Sequence, residues 1–364
     1  MSYRNKLIIL AILVMLVAAM QYILPNNPHM VNVYNVYIFR PYQSFRNMLL
    51  GKIPISVGDI LYLILGVLVL LTIVRWFYFV FKFKTHKHYL GHLYIRCMIS
   101  LCIAYVLFFV GWGGNYYKPS LAEYWNLQVP KPSRQTDTLL IAYDHLLINK
   151  LNEYAAHYRD LSFRQVDRRA QSYYKAFTDG KTKLHGLNAK PSIFGYMMQY
   201  FEIQGYYNPF TGEAQVNRYL PSFMLPFVVC HEMAHQSGIA AEGDANLLSY
   251  AVCTAVKKDT AFGYSAYFNL WLYAHSRLRA WDSTVANTLK KQLNQLSLAH
   301  LDTLRAIRRR YRSEVSDYSG WLYDGYLRMH NQKEGIASYS TVVMSAWAWD
   351  EQQKRSTDWM IRIP

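Results

Sequence analysis

The chain has 364 residues, of which 52% are apolar and only 17% charged, and its formal net charge is +16. That length exceeds one ordinary domain and is ample for a sizeable core. The apolar excess lies in the first third, which excludes a wholly water-soluble globule; scattered Lys and Arg without a stripe or a recognisable motif argue against nucleic acid as a partner.

The first predicted element, residues 7–24, carries no charge. It is too long for the apolar core of a signal peptide, and no small-residue cleavage site follows it, so it reads as a membrane span. The second span covers 58–81, with Arg75 near one end, where it can snorkel to the headgroups. The third covers 93–112. Each is close to the ~20 residues a bilayer core requires. Trp76, Phe77, Tyr78, Trp112, Tyr116 and Tyr117 cluster at the ends, as interfacial belts do. Arg4 and Lys6 precede the first span, and Arg75, Lys82, Lys84, Lys87 and Arg96 surround the loop at 82–92. Against them stand Arg40, Arg46 and Lys52 in the loop between the first two spans. The positive-inside rule puts the N-terminus and the 82–92 loop in the cytoplasm, and Asn115–Pro364 on the extracytoplasmic side. Residues 1–114 are thus read as the membrane region.

Pro119, Pro130 and Pro132, with turn formers between them, mark 115–135 as a linker. Residues 136–364 then form a separate, mostly helical domain. Leu139, Leu140, Tyr143, Leu146, Leu147, Leu151 and Tyr154 recur at helical spacing. Further helices are predicted near 164–178, 191–201, 221–237, 240–257, 264–279, 283–296, 298–312, 316–330 and 338–353. The stretch Gly205–Asn217, with Pro209 and Gly212 among aromatic and β-branched residues, is expected to form a short hairpin or edge strand. Arg305, Arg308, Arg309, Arg310 and Arg312 share one predicted helix and read as a solvated or lipid-facing surface. The four cysteines, Cys97, Cys102, Cys230 and Cys253, form no CxxC pair, so neither a disulfide framework nor a cysteine zinc site is expected.

The chemistry concentrates in His231-Glu232-Met233-Ala234-His235. Residues four apart share a helix face, so two imidazoles can hold one Zn2+. Zinc lowers the pKa of water to about 7, and Glu232 is placed to take its proton as general base. Phe227, Val228, Val229 and Cys230 give the helix an apolar lead-in, Ala234 is small, and Gly238 can end the helix. A catalytic zinc needs a third ligand. Glu242, in Glu242-Gly243-Asp244-Ala245-Asn246, is favoured, with Asp244 as its rival. Ala245 would permit close helix packing, and Asn246 could hold the second nitrogen of a liganding histidine. Position 241 is Ala241, so a third histidine of the metzincin type is absent.

Taken together, GWGGNYYKP (111–119), GYYNPFTGEAQVN (205–217), HEMAHQSGIAAEGDANLLSY (231–250) and KEGIASYS (333–340) resemble the bacterial membrane family called domain of unknown function 3810. The resemblance spans nearly the whole chain. It implies a membrane-bound zinc metallopeptidase of the bacterial inner membrane and leaves the substrate undefined. The ExxAN element is also similar to the third-ligand helix of several gluzincin-like peptidases, which supports Glu242 by position.

The expected fold class is mainly α: three transmembrane helices followed by a helical zincin-like domain with a small β-hairpin or sheet. The expected partners are the lipid bilayer and a peptide or protein substrate. Phe210, Thr211, Gly212, Glu213 and Ala214 are candidates for a strand that binds substrate backbone by strand addition. Tyr339, or else Tyr264, is a candidate oxyanion donor. Two other readings stay open: hydrolysis of a non-peptide amide or ester of the envelope, and a non-enzymatic scaffold with structural zinc.

Overall fold

The computed structural model describes residues 2–131, 134–177, 186–312, 341–355 and 363. The three apolar runs form long helices: α1 (Tyr3–Ile23), α4 (Val57–Phe81) and α5 (Phe83–Gly111). All three are long and apolar enough to cross a membrane. The 25 residues of α4 span about 37 Å at 1.5 Å per residue, against a hydrocarbon core of about 30 Å. Both α1 and α4 pack on α5, and side chains such as Leu63, Leu70, Leu101 and Leu107 point outward, exposed.

The connection between the first two long helices is itself folded. It contains α2 (Pro28–Val33), a π-helical stretch (Tyr34–Phe39) and α3 (Arg40–Leu50). The buried groups of α3 are polar: Gln43, Arg46 and Asn47. Arg46 donates to the carbonyls of Pro209 (2.6 Å) and Gly111 (3.0 Å), and Gln43 donates to that of Gly212 (2.9 Å). This segment therefore binds the C-terminal part of the chain to the end of α5.

The segment expected to be a linker is also built in. A 3-10 turn (Gly113–Tyr117) is followed by α6 (Leu121–Tyr124), which Ser120 and Glu123 close with a reciprocal capping box. Asn115, Leu121 and Leu127 are buried. Proline and turn residues signal a change of direction, not freedom; here the turns are paid in core contacts.

The remaining elements are α7 (Arg134–Ala155), α8 (Phe163–Phe177), β1 (Ala189–Pro191), α9 (Gly195–Tyr200), β2 (Gly205–Tyr207), β3 (Ala214–Val216), α10 (Leu225–Gln236), α11 (Glu242–Ala255), α12 (Thr260–Trp281), α13 (Ser283–Lys290), α14 (Gln295–Tyr311) and α15 (Thr341–Arg355). The fold is mainly helical. α12 lies along α7, and α10 is enclosed by α8, α11, α12 and the sheet. Leu147, Leu151, Val229, Leu248, Phe268 and Trp271 are at most 1% exposed in one continuous core. The helix expected over 283–296 is broken, because Asn294 caps a new one by accepting from the Ser297 N–H at 2.8 Å. The helix expected near 316–330 lies outside the described residues.

The small sheet is mixed, in the order β1-β3-β2. β1 pairs parallel with β3 and β2 pairs antiparallel with it. Two expectations are corrected here. The helix expected near 191–201 forms only over Gly195–Tyr200, and Pro191 instead closes strand β1, because pairing with Ala214–Val216 outweighs local propensity. As a result Ala214 lies in a central strand paired on both sides, and Phe210, Thr211 and Gly212 belong to the turn before it. Residues 210–214 therefore offer no edge for strand addition; among the described residues, a free edge belongs to β2.

Candidate metal centre

α10 begins with Pro226 in its first turn and is buried on almost every side. This explains why apolar residues precede the motif without helical periodicity. The helix ends in a Schellman turn: the Gly238 N–H donates to His235 O (2.8 Å) and the Ile239 N–H to Ala234 O (3.1 Å). Gly238 has φ +93°, and a Cβ there would lie 2.5 Å from Phe39 Cε1, so position 238 takes glycine for both reasons. The chain reverses, and Glu242 opens α11 facing the two histidines. Ala245 is fully buried in the core that α10 and α11 share.

The turn also orients a ligand. His235 Nδ1 lies 2.7 Å from Ile239 O, so Nδ1 carries a proton and Nε2 presents a lone pair. His235 Nε2 lies 3.1 Å from His231 Nε2 and 3.5 Å from Glu242 Oε1; His231 Nε2 lies 3.2 Å from Glu242 Oε2. All three ligand atoms lie within 4.8 Å of one another, the one such group of three among the described residues. Two imidazole nitrogens and a carboxylate converging this closely repel unless a proton or a cation lies between them. Burial opposes a charge on His235, but Glu242 outweighs it and pushes the ring up to about 9. Burial would also raise Glu242, but His235 and His231 hold it well below the usual carboxylate range. The pocket thus favours positive charge at its centre. Its two imidazole nitrogens and one carboxylate oxygen suit zinc, so these residues fit the ion the motif implies.

Glu232 is 3% exposed and close enough to feel the charges of His231, His235 and Glu242; its Oε2 has no hydrogen-bond partner among the described residues. Burial pushes this acid up to about 7 despite the pull of His231 and His235.

Asp244 lies elsewhere. Burial pushes its carboxyl up to about 7, and its backbone partner is Leu121, at the start of α6. It is outside the cluster of ligand atoms, which takes in Glu242. Asn246 is buried, but its Nδ2 has no hydrogen-bond partner among the described residues; the second nitrogen of His235 is held by the Ile239 carbonyl, and His231 Nδ1 has no partner among the described residues either. Glu213 is drawn away to the start of α4, where it accepts from the Val57 and Gly58 N–H groups and pairs with Lys190 at 2.6 Å. Tyr264 is fully buried in the core with its hydroxyl on Ser297 and His300, so it is not an oxyanion donor. Tyr339 lies outside the described residues.

Some neighbours of the site carry no sequence signal. A Cβ on Gly205, the first residue of β2, would fall inside contact distance of Glu232 Oε1. Trp112, just past α5, sets its ring edge against His235 at 5.9 Å and 84°, and lies against Tyr207 at 4.3 Å. Tyr273 on α12 has its phenol raised by burial and then by the charge of Glu242. Nothing local distinguishes it among 32 tyrosines.

The family model described as "Protein of unknown function (DUF3810)" matches residues 34–346. No curated protein and no solved structure matches the chain.

Proposed function

The chain belongs to the DUF3810 family, and from that footing we propose that it is a membrane-anchored, zinc-dependent hydrolase that cleaves peptide bonds. The observation that carries this reading is the convergence of His231, His235 and Glu242 beside a buried carboxylate, Glu232, with one oxygen unpartnered among the described residues. A zinc ion bound by those three would supply the charge that acidifies water and polarises a carbonyl. Glu232 then acts through its unpartnered Oε2: it accepts a proton from the attacking water and delivers it to the leaving amine. Burial favours the protonated form, so Glu232 can return that proton as well as take it. Ile239 keeps His235 in the tautomer that offers Nε2. A purely structural zinc site has no use for such a buried, unpartnered base.

A peptide substrate is favoured over other amides by β2. Its neighbours in the antiparallel ladder, Gln204 and Asn208, pair with Asn217 and Glu213. The alternation then turns the backbone groups of Gly205 and Tyr207 to the open edge, where an extended chain can pair with them beside Glu232. The excess of Lys and Arg around the 82–92 loop supports placing the site on the extracytoplasmic side.

The test uses the purified full chain with a mixed-sequence peptide library. Wild type should hold zinc at one ion per chain and cleave; Glu232→Gln should keep the zinc and lose about 10²–10⁴-fold in rate. Retained cleavage in the zinc-loaded variant would refute Glu232 as the base, and a folded wild type that binds no zinc would remove the hydrolase reading.

A further inference from the structure

Three consecutive residues of β2 connect the candidate base to the apolar helices. Gly205 lies against Glu232. Tyr206 stacks on Tyr62 of α4 (6.3 Å, 28°), and its hydroxyl bonds Asp59 in the first turn of that helix. Tyr207 stacks on Trp112 at the end of α5. On α4 the exposed apolar surface starts at Ile60 and continues through Leu63 and Ile64. That is where a bilayer must begin, so Tyr62 and the strand resting on it lie at its surface. The residue over Glu232 is one strand position, about 3.3 Å, from the residue stacked on the span.

The surroundings agree. The Ile193 N–H donates to Asp59 Oδ2 at 2.7 Å, which holds α9 at the same level. Ile193, Tyr196 and Met197 are nonetheless 45–57% exposed. Tyr311 packs on Tyr196 and Tyr200, bringing the arginines at 308–310 to the same rim. Aromatic, apolar and basic side chains in one rim are the composition of a membrane interface. The arrangement is also pinned. Arg46 ties Tyr207 (3.0 Å) and Pro209 to Gly111, and Glu213 with Lys190 closes the start of α4. The cleft cannot lift away from the spans without breaking buried charged contacts.

We propose that the substrates of this site are polypeptide segments tethered to the same bilayer and cut within a few residues of its surface. The inference rests on the hydrolase reading above. An extended segment paired with β2 meets the bilayer after a short run of residues, so a membrane-anchored stalk is held at the site by confinement to the same surface. A soluble chain lacks that gain in effective concentration and must enter past the α9 rim.

The experiment reconstitutes the zinc-loaded full chain in proteoliposomes. One mixed-sequence reporter segment is joined to a single transmembrane anchor through linkers of about 4 or about 30 residues, or supplied free. The short-linker reporter should be cut at least about tenfold faster than the long-linker one, and the free segment slowest. A second readout does not depend on turnover: a benzophenone side chain at Ile203, next to β2, in the Glu232→Gln chain should crosslink the short-linker reporter in preference to the free one. Zinc-dependent cleavage and crosslinking without preference for the tether would overturn this inference and leave the hydrolase reading standing. Preferential capture of the tethered reporter without cleavage by wild type would retain the membrane-level placement and remove the hydrolase reading. Neither cleavage nor capture would overturn both.

Discussion

Removing one charge at the junction of sheet and span should loosen the whole molecule. The Glu213 carboxylate accepts from Lys190 Nζ (2.6 Å), Val57 N–H (3.2 Å) and Gly58 N–H (2.5 Å), and both charged side chains are 4% exposed. It therefore neutralises a buried ammonium and also caps the positive end of α4. Glu213→Gln keeps the volume but leaves the Lys190 ammonium without a counter-charge; its other acceptors among the described residues are the carbonyls of Leu50 and Ile55. Breaking a buried pair from one side costs about 3–5 kcal/mol, since the remaining charge stays desolvated. Denaturant unfolding in mild detergent should register that loss, and amide exchange at Val57 and Gly58 should accelerate with it. Removing the stranded charge as well, in Glu213→Gln/Lys190→Gln, should recover much of the loss, which a double-mutant cycle reads as coupling. A cost under about 1 kcal/mol, with a rise in KM instead, would refute this reasoning and return Glu213 to the substrate role that strand position alone suggested.

Other outcomes follow from the same geometry. Glu242→Ala should abolish stoichiometric zinc binding while Asp244→Asn retains it, as measured by metal analysis of the purified chains; zinc loss in both would mean that Asp244 shares the ion. Gly205→Ala places a methyl group against Glu232 Oε1, so zinc should stay bound while hydrolysis falls by at least about tenfold; unchanged kcat would show that the base has room to spare. Asp350, which accepts from Tyr143 and Tyr250 at 2.8 Å each, is pushed up to about 6 by burial. A carboxyl raised in the folded state contributes stability that is full below its unfolded value near 3.8 and is lost as pH rises through 6. Asp350→Asn should therefore gain stability relative to wild type between pH 4 and pH 7, by no more than about 3 kcal/mol, in unfolding midpoints taken across that range.

The sequence by itself determined the elements whose cause is local. Three apolar runs, charged only at Asp59 and Arg75 in the second and Arg96 in the third, could form only long apolar helices, because a helix alone satisfies its own backbone in hydrocarbon. His231 and His235 share a face because they are four apart, and Gly238 marks the reversal because its positive φ excludes most side chains. Glu242 was legible as a candidate, but the choice over Asp244 was not. Both lie in the first turn of α11, and only the direction of the Schellman turn decides which one faces the histidines. The sheet order was not legible, since β1 forms through pairing with a partner 25 positions away. The tertiary structure also decided where the site lies. Glu232 is more than a hundred residues beyond α5 in the chain, and the prolines at 119–132 read as a linker to a separate domain. Instead, Trp112 touches His235 and β2 rests on α4, held there by buried charges at Arg46, Lys190 and Glu213. Such contacts depend on partners far apart in sequence, and no periodicity or spacing within a segment records them.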